Sequence, residues 1–244
     1  MPRFFVSPDG VGEGSISIIG DDARHIARAL RLAVGDEITV SDGEGTDFFC
    51  RLVRIRDEEC TAEVIKSSPS YAEPPLEITL YMAYPKSDKL EIVVQKAVEL
   101  GASVIVPFES QRCIKRPAAD RAERIGARLQ RIAVEAAKQC GRGRLPKVKG
   151  TIGFDALVRG VGGDIPVLFC YEGGGTRPIK EVLDRMEKPE AIGVIIGSEG
   201  GFSSEEAERL ISAGAIPVGL GPRILRCETA PAYALCAISY KFEL

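Results

Sequence analysis

The chain has 244 residues, of which 45% are hydrophobic and 27% are charged, and its formal net charge is -3 at pH 7. This composition excludes a disordered or collagen-like chain, and the length suffices for two domains. No apolar run is long enough to cross a bilayer, and the N-terminal residues lack the apolar core of a signal peptide. We therefore expect a cytoplasmic protein without a membrane partner.

The cysteine and histidine content excludes several kinds of site. The seven cysteines are odd in number and include no Cys-x-x-Cys pair, so neither a disulfide framework nor a zinc knuckle is indicated. His25 is the only histidine. Any Ser-His or Cys-His nucleophile would depend on this one residue, and no histidine cluster can hold a metal. We predict no metal site.

Residues 1–70 predict a small β-rich domain with one helix, at 22–32. Arg24, Arg28 and Arg31 have the i, i+4, i+7 spacing of one helix face. These arginines either bind a ligand or only keep a solvent-exposed face soluble. Short strands at close spacing are typical of a small barrel. The predicted strands cover 4–6, 15–19, 37–41, 46–55 and 60–66.

The stretch 67–75 is rich in proline and small polar residues, so we predict the domain boundary there and a second domain over 71–244. In this second domain, continuous apolar runs alternate with amphipathic helical segments, which predicts a parallel sheet covered on both faces. The predicted strands are 76–84, 103–108, 165–171, 191–196 and 215–220. The predicted helices are 87–100, 118–140, 178–187, 204–213 and 229–242.

Positive charge is concentrated in one part of the chain. Residues 108–150 contain 12 Lys and Arg against 4 Asp and Glu, whereas residues 1–72 contain 8 against 13. The local excess is large enough to attract phosphates despite the acidic total, although a solvated helix face is the alternative.

Three predicted strands end in glycine-containing loops, which are the strongest candidates for a ligand site. The first loop, 197–203, leads into a helix with a capping box formed by Ser203 and Glu206. The second loop, 220–229, contains two arginines and a glutamate, and the third, 171–175, ends in three glycines. Since parallel strands bring their carboxyl ends to one sheet edge, we predict one shared site.

The first loop lacks both Gly-x-Gly-x-x-Gly and a final Gly-Lys-Ser/Thr, which disfavours a nucleoside triphosphate or a dinucleotide. Its glycines still allow backbone groups to approach a ligand closely. Glu199 would bring a carboxylate to an amine, a hydroxyl or a sulfonium, unless the loop is only a tight turn with an exposed glutamate. In the second loop, Ile224 and Leu225 could contact an aromatic ring between Arg223 and Arg226.

These loops resemble the signature of the bacterial small-subunit rRNA methyltransferase E family, which belongs to the SPOUT superfamily. The resemblance rests on Gly-Ser-Glu-Gly-Gly-Phe-Ser at 197–203 and on Leu-Gly-Pro-Arg-Ile-Leu-Arg-Cys-Glu-Thr-Ala at 220–230. It extends to central segments at 86–101 and 135–142, and 25–36 is similar to the family's PUA-like domain. Nearly the whole chain is covered in the right order.

The resemblance implies both a fold and a reaction. The implied fold is α/β, with an N-terminal PUA-like β-barrel over 1–70 and a C-terminal SPOUT domain over 71–244, whose parallel sheet carries a deep trefoil knot. The implied protein is a homodimer that binds S-adenosylmethionine in a bent form in the knotted loops. Its implied reaction is methylation of N3 of a uridine in 16S rRNA, within the small ribosomal subunit.

The resemblance also assigns residues to these roles. The implied cofactor positions are Phe169, Tyr171, Glu172, Gly197, Ser198, Glu199, Gly200, Gly201, Leu220, Gly221, Ile224, Leu225 and Arg226. Basic residues become candidates for contacts with rRNA phosphates. These are Arg3, Arg24, Arg28, Arg31, Arg112, Lys115, Arg116, Arg142 and Arg144.

Ser198 departs from the family pattern, which usually has proline at this position. Gly-Ser-Glu-Gly is more typical of the SPOUT branch that methylates the ribose 2′-oxygen, so a ribose methyltransferase acting on rRNA or tRNA is an alternative. The segment 223–230 resembles the uridine-methylating family and lacks the Asn-rich string of the ribose branch, which favours the base nitrogen. A non-catalytic RNA-binding protein would explain the basic segments but not the glycine loops.

Methylation of uracil requires loss of the proton on the ring nitrogen, because the protonated nitrogen is a poor nucleophile at neutral pH. Our hypothesis is that Arg226 or Arg223 stabilises negative charge on a uracil carbonyl oxygen. Glu199 or Glu228 would accept the proton, directly or through water. Binding of rRNA phosphate or of the cofactor carboxylate is the alternative role for each arginine.

Overall fold

The computed structural model describes residues 1–114 and 119–244. The chain divides into two compact units, the first formed by Met1–Glu73 with Ala137–Leu145 and the second by Pro74–Ala136 with Pro146–Leu244. None of the helices within the described ranges combines the length and apolar character needed to cross a membrane.

The first unit contains a five-stranded sheet whose strands are β1 (Arg3–Phe5), β2 (Ser15–Ile19), β3 (Glu37–Ser41), β4 (Thr46–Ile55) and β5 (Glu59–Pro69). The strand order is β1-β3-β4-β5-β2, with β1 parallel to β3 and the other neighbours antiparallel. Alternating apolar residues such as Ile16 and Ile18 are buried, so one face of each strand forms the core.

The five strands predicted for this unit are present, but β5 is longer than predicted. Its last three residues extend into the stretch predicted as a linker, where Ser67 and Ser68 pair with Phe48 and Asp47 of β4. Small polar residues can form a strand when a long neighbouring strand satisfies their backbone groups, which composition does not reveal.

The helix predicted over 22–32 is shorter than expected. Helix α1 covers only Asp21–Arg24, and a π-helical turn follows at His25–Ala29, in which the Leu30 amide donates to the His25 carbonyl. Arg31 has a φ of 53°, so it lies outside the helix. The prediction that three arginines share one helix face is therefore wrong, because the wider π turn changes the 3.6-residue period.

The second unit is an α/β structure built on parallel strands. Its strands are β6 (Glu77–Ala83), β7 (Ala102–Glu109), β8 (Lys147–Val148), β9 (Ile152–Gly153), β10 (Val167–Cys170), β11 (Arg177–Pro178), β12 (Ala191–Ile196) and β13 (Ile216–Gly219). Its helices are α2 (Lys89–Glu99), α3 (Ala119–Cys140, ending in the first unit), α4 (Phe154–Val161), α5 (Ile179–Arg185), α6 (Ser204–Ser212) and α7 (Ala230–Phe242).

All neighbouring strands of this sheet are parallel, in the order β11-β13-β10-β12-β6-β7-β8, with β9 also paired to β7. The buried residues of β12, among them Ile192, Val194 and Ile196, form a continuous apolar run because helices cover both faces of a parallel sheet. Strands β13, β10 and β12 are direct neighbours, so their carboxyl ends lie side by side.

The alternation of strands and helices predicted for 71–244 is confirmed, with two exceptions. Helix α4 was not predicted, because Gly160 and the two glycines that follow Val161 obscure its amphipathic pattern. The short strands β8, β9 and β11 were also missed, since two residues carry no periodicity.

Candidate functional site

A cleft of about 730 Å³ lies at the carboxyl ends of β10, β12 and β13. Its lining includes residues of all three predicted loops, the glycine loop after β12, the arginine loop after β13 and the loop after β10. The volume falls in the range of small-molecule sites. The prediction that three strand ends form one site is therefore confirmed as geometry, whereas the roles of individual residues stay predictions.

The glycine loop is a tight turn whose conformation depends on its glycines. The Gly201 amide donates to the Ser198 carbonyl at 2.9 Å, and Gly201 has a φ of 62°. A Cβ at Gly197 would lie 2.8 Å from the Phe202 ring, and one at Gly200 would lie 2.9 Å from the Arg112 Cβ. No side chain therefore fits at these two positions unless the neighbouring residue moves.

The predicted capping box fixes the helix that follows the glycine loop. Ser203 Oγ accepts from the Glu206 amide at 3.2 Å, and Glu206 Oε2 accepts from the Ser203 amide at 3.0 Å. The other carboxylate oxygen of Glu206 accepts from the Gln111 amide at 2.6 Å. The buried Glu206 thus joins the start of α6 to the segment after β7, beside the glycine loop.

Aromatic rings support the floor of the cleft. The Phe169 and Tyr171 rings stack with their centroids 5.1 Å apart, and the Phe202 ring meets Phe169 edge-on at 4.9 Å. Tyr171 and Phe202 line the cleft, but the Phe169 side chain is fully buried beneath them. The predicted cofactor contact by the Phe169 side chain is therefore corrected to a supporting role, because a ring with no accessible surface cannot touch a ligand.

The arginine loop exposes charged and apolar side chains together. Arg223, Ile224 and Arg226 are exposed, and the exposed fraction of Ile224 is 83%. Within the described residues, neither arginine forms an ion pair, although both line the cleft. Unpaired guanidinium groups beside an exposed apolar side chain suit a ligand that has both an anionic part and a flat apolar part.

Lys89, which begins α2, joins the glycine loop to the arginine loop. Its Nζ lies 3.0 Å from Glu199 Oε1 and 3.1 Å from Glu228 Oε2. Glu199 also accepts from the Lys86 amide at 3.2 Å, and the Cys227 thiol donates to Glu228 Oε2 at 3.3 Å. The sequence placed 86–91 in a family segment but gave Lys89 no role, because its partners lie more than a hundred residues away.

The charges of this cluster shift one another's pKa values. Burial alone would raise the pKa of Glu199, but the hydrogen bonds from Lys89 and the backbone outweigh it and lower the pKa. The pKa of Glu228 is lowered in the same way, against burial, by backbone, Cys227 and Lys89 hydrogen bonds. The hydrogen bonds that Lys89 donates, first to Glu199 and then to Glu228, raise its own pKa. Both carboxylates therefore stay ionised at neutral pH.

Glu228 and Cys227 have limited chemical roles here. Cys227 lines the cleft, but burial and the Glu228 carboxylate raise the pKa of its thiol to about 12, so it stays protonated and is a poor nucleophile. Glu228 is not among the residues that line the cleft. Glu199 and Glu172 are the carboxylates that line the cleft, so this placement favours Glu199 over Glu228 as the direct proton acceptor, and the assignment stays a prediction.

Two further predicted positions differ in how they contact the cleft. Arg112 lines it, and its Nη1 donates to the Gly200 carbonyl at 3.1 Å, so this guanidinium supports the glycine loop. Ser198 also lines the cleft, with a buried hydroxyl that has no hydrogen-bond partner among the described residues.

In the first unit, several predicted RNA-binding arginines have carboxylate partners. Arg142 is 3% exposed and its Nη2 lies 3.0 Å from Glu73 Oε2, so the prediction that it contacts RNA phosphate is wrong, because a buried, paired guanidinium does not reach a ligand. Arg3 likewise pairs with Asp47, at 2.8 Å from Nη2 to Oδ2.

The other predicted RNA-binding residues divide into three groups. Arg24 and Arg28 are exposed but pair with Asp21 and Asp57. Arg31 and Arg144 are exposed and form no ion pair within the described ranges. The remaining two predictions, Lys115 and Arg116, lie outside the described residues.

A basic surface that the sequence analysis did not single out lies on α3. Its exposed arginines are opposite the buried residues Leu129, Ala133 and Ala136. The i, i+3, i+7, i+10 spacing was available in the sequence as a signal for one helix face. The members of this arginine stripe are Arg121, Arg124, Arg128 and Arg131.

The described residues include no group of three or more His, Cys, Asp or Glu that could hold a metal ion. The charged side chains that line the cleft are Lys89, Arg112, Arg223 and Arg226 together with the carboxylates of Glu172 and Glu199.

The fold and the cleft define an RNA methyltransferase with an added PUA domain. Residues 72–239 match the family model of an RNA methyltransferase domain, and residues 18–66 match that of an RNA methyltransferase PUA domain. The predicted fold class, a parallel α/β sheet with a small N-terminal PUA-like domain, is thereby confirmed.

Individual relatives define the family more closely. The ribosomal RNA small subunit methyltransferase E of Bacillus subtilis is 33% identical over 100% of this chain and 98% of its own length. Its namesake from Synechocystis is 32% identical over 99% of this chain and 78% of its own length. A crystal structure of the Neisseria gonorrhoeae protein of that name, bound to S-adenosylmethionine, is 32% identical, with a TM-score of 0.84 and coverage of 98% and 97% of the two chains. The present chain belongs to the ribosomal RNA small subunit methyltransferase E family.

Proposed function

We propose that this protein transfers a methyl group from S-adenosylmethionine to N3 of a uridine in 16S rRNA. The observation that carries the proposal is the convergence of both signature loops in one cleft. Membership of the family supports rRNA as the substrate. In this proposal residues 1–70 form an RNA-binding PUA-like domain, and residues 71–244 form the SPOUT domain with a knot at the cofactor loops.

The residues of the cleft fit S-adenosylmethionine. Gly197, Gly200 and Gly201 line the cleft and carry no side chain that would hold a ligand away from the backbone amides and carbonyls of the loop. The exposed Ile224 and the Tyr171 ring offer apolar contact for an adenine. The residues that would hold the cofactor are Tyr171, Glu172, Gly197, Ser198, Glu199, Gly200, Gly201, Leu220, Gly221, Ile224, Leu225 and Arg226.

When bound, the cofactor supplies an electrophilic methyl group on a sulfonium. The task of the protein is to align the uracil nitrogen, exclude water and assist loss of the N3 proton. Arg226 or Arg223, which are exposed in the cleft and form no ion pair with a described residue, stabilises the negative charge that develops on a uracil carbonyl oxygen. Glu199 is ionised and accepts the proton, directly or through one water molecule.

The lowered pKa of Glu199 makes its carboxylate a weak base, so the carboxylate provides little driving force for removal of the N3 proton. The arginines therefore have the larger role in this mechanism, because stabilising the uracil anion lowers the cost of deprotonation whichever group takes the proton. We expect loss of an arginine to reduce the rate more than replacement of Glu199 by glutamine.

The rRNA would be held by exposed basic residues that have no carboxylate partner. In the second unit, Arg124 and Arg131 of the arginine stripe form no ion pair within the described ranges, while Arg128 pairs with Glu91 at 2.8 Å. In the first unit, Arg31 and Arg144 are exposed. Such groups position RNA through its phosphates without reading its sequence.

We also propose a homodimer that acts in the cytoplasm on the small ribosomal subunit. The support for a dimer is the exposed face of α7, on which Tyr233, Cys236 and Tyr240 recur at helical spacing, with Ile92 exposed on the adjacent α2. Tyrosine is enriched in interfaces between proteins. Sedimentation equilibrium of Tyr240→Glu against Lys241→Glu, a charge change at the neighbouring position, tests this surface.

The reaction itself is tested by incubation with methyl-labelled S-adenosylmethionine and either intact small subunits or naked 16S rRNA. Nuclease digestion and mass spectrometry then identify the modified atom. N3-methyluridine supports the proposal, and 2′-O-methylation would assign the protein to the ribose branch instead. Binding of the cofactor by calorimetry without methylation of either substrate would contradict the choice of 16S rRNA.

A further inference from the structure

A single ammonium group connects the two signature loops of the cleft. Glu199 follows β12 and Glu228 follows β13, and β10 lies between these two strands in the sheet. Both carboxylates nevertheless lie within about 3 Å of Lys89 Nζ, which belongs to α2 and to neither loop. The three side chains are 22–27% exposed, so solvent screens this contact only in part.

We infer that Lys89 is a positioning residue that holds the glycine loop and the arginine loop together in the geometry that binds the cofactor. The inference rests on the proposed function, because it assigns the cofactor to this cleft. It adds a residue outside both signature loops to the binding machinery.

The physical basis is the repulsion that Lys89 prevents. Glu199 and Glu228 are two anions that share one cation, and without it they face each other across the gap between the loops. Glu199 would keep the Lys86 amide and Glu228 would keep the Cys227 thiol, but neither donor bridges the loops. We therefore expect the loops to separate when the ammonium group is removed.

The other charged groups at the cleft do not replace Lys89. Arg112 donates to the Gly200 carbonyl, and no contact joins it to either carboxylate within the described residues. Arg223 and Arg226 line the cleft without an ion pair in the same ranges. Glu172 adds one more negative charge to the lining. The repulsion between Glu199 and Glu228 would thus be relieved only by protonation or by removal of one carboxylate.

The test is calorimetric titration of Lys89→Met with S-adenosylmethionine between pH 5 and pH 8, beside Lys96→Met. Lys96 lies two turns further along α2 and pairs with Glu99, so its variant loses the same charge on the same helix away from the cleft. We expect Lys89→Met to bind at least tenfold more weakly than wild type at pH 8. We expect Lys96→Met to stay within twofold.

The pH dependence separates positioning from simple loss of packing. The loss in Lys89→Met should shrink toward pH 5, because the variant lacks the ammonium group that lowers the pKa of both carboxylates, while burial and their mutual repulsion remain and favour protonation of one of them. The double variant Lys89→Met with Glu228→Gln should regain most of the affinity at pH 8. A loss that is equal at every pH, and that the double variant does not reverse, would overturn the inference, as would a Lys89→Met affinity equal to that of Lys96→Met.

A failure of the proposed function would be visible separately, as a wild-type protein that does not bind S-adenosylmethionine. In that case the role of Lys89 is tested by thermal unfolding of the ligand-free variants. We expect the melting temperature of Lys89→Met to lie below that of wild type at pH 8 and to approach it as the pH falls to 5. A difference that does not change with pH would overturn the inference.

Discussion

A buried arginine of the first unit and two arginines of the cleft in the second unit use the same charge in opposite ways. In the first unit, the Arg142 guanidinium is buried and paired with Glu73, which also accepts from the Gly143 and Arg144 amides at 2.8 and 2.9 Å. In the cleft of the second unit, Arg223 and Arg226 are exposed and form no ion pair in the described part of the chain.

This difference separates charges that hold the fold from charges that remain available to a ligand. A buried charge must find its partners within the protein, because its hydration is lost on folding. An arginine that stays exposed keeps its hydrogen-bonding capacity for a ligand. The type of residue is the same in both places, so only burial and partners distinguish the two roles.

The largest effect that we expect comes from breaking the buried pair. Arg142→Met leaves the Glu73 carboxylate with backbone donors only and should lower the free energy of unfolding by about 3–5 kcal/mol. Urea denaturation measures the change. Arg56→Met, at an exposed position of the same unit, should change it by less than about 0.5 kcal/mol. Equal stabilities of the two variants would show that the buried pair contributes nothing.

The next effect concerns the unpaired arginines of the cleft. Arg226→Ala should lower the rate of methyl transfer about 10²- to 10³-fold, which is typical for loss of one group that stabilises a developing anion. Single-turnover transfer of a labelled methyl group measures the rate. Arg185→Ala, at an exposed position on α5, is the control.

Cofactor affinity measured on the same two variants identifies the step that is affected. If Arg226→Ala weakened cofactor binding and left the rate at saturation unchanged, Arg226 would contact the cofactor carboxylate and would not stabilise uracil. If neither cofactor affinity nor the rate changed, exposure of Arg226 in the cleft would not mean that it binds a ligand.

A smaller effect is expected from the glycine loop. Gly200→Ala should weaken cofactor binding about tenfold, or ~1.4 kcal/mol, because the new Cβ would lie 2.9 Å from the Arg112 Cβ and displaces the loop. Gly163→Ala is the control, since a Cβ there meets nothing within 4 Å. Titration calorimetry compares the two, and unchanged affinity in Gly200→Ala would mean that the loop adapts without cost.

The sequence predicted the strands, loops and capped helix that form the cleft better than it predicted the side-chain contacts between them. Apolar runs and the capping box at Ser203 depend on neighbouring residues, and these elements were found. The contact of Lys89 with Glu199 and Glu228 depends on the order of strands in the sheet, which no local pattern contains. The partner of Arg142 likewise cannot be read from a count of charges, so this residue was predicted to bind RNA although it is buried.

The arginine stripe gives the smallest expected effect and extends the comparison to the surface. Arg124→Glu with Arg131→Glu should weaken rRNA binding and leave cofactor binding unchanged. Each lost phosphate contact lowers the slope of log affinity against log salt by roughly 0.7–0.9, so the slope should fall by about 1.4–1.8. Filter binding at several salt concentrations measures this slope.

The matched control is Arg24→Glu with Arg28→Glu, because these arginines already have carboxylate partners and their replacement should change the slope less. An equal change in both pairs would mean that an existing surface ion pair does not decide which arginines bind RNA, since exposed pairs are weak enough for phosphate to displace the carboxylate.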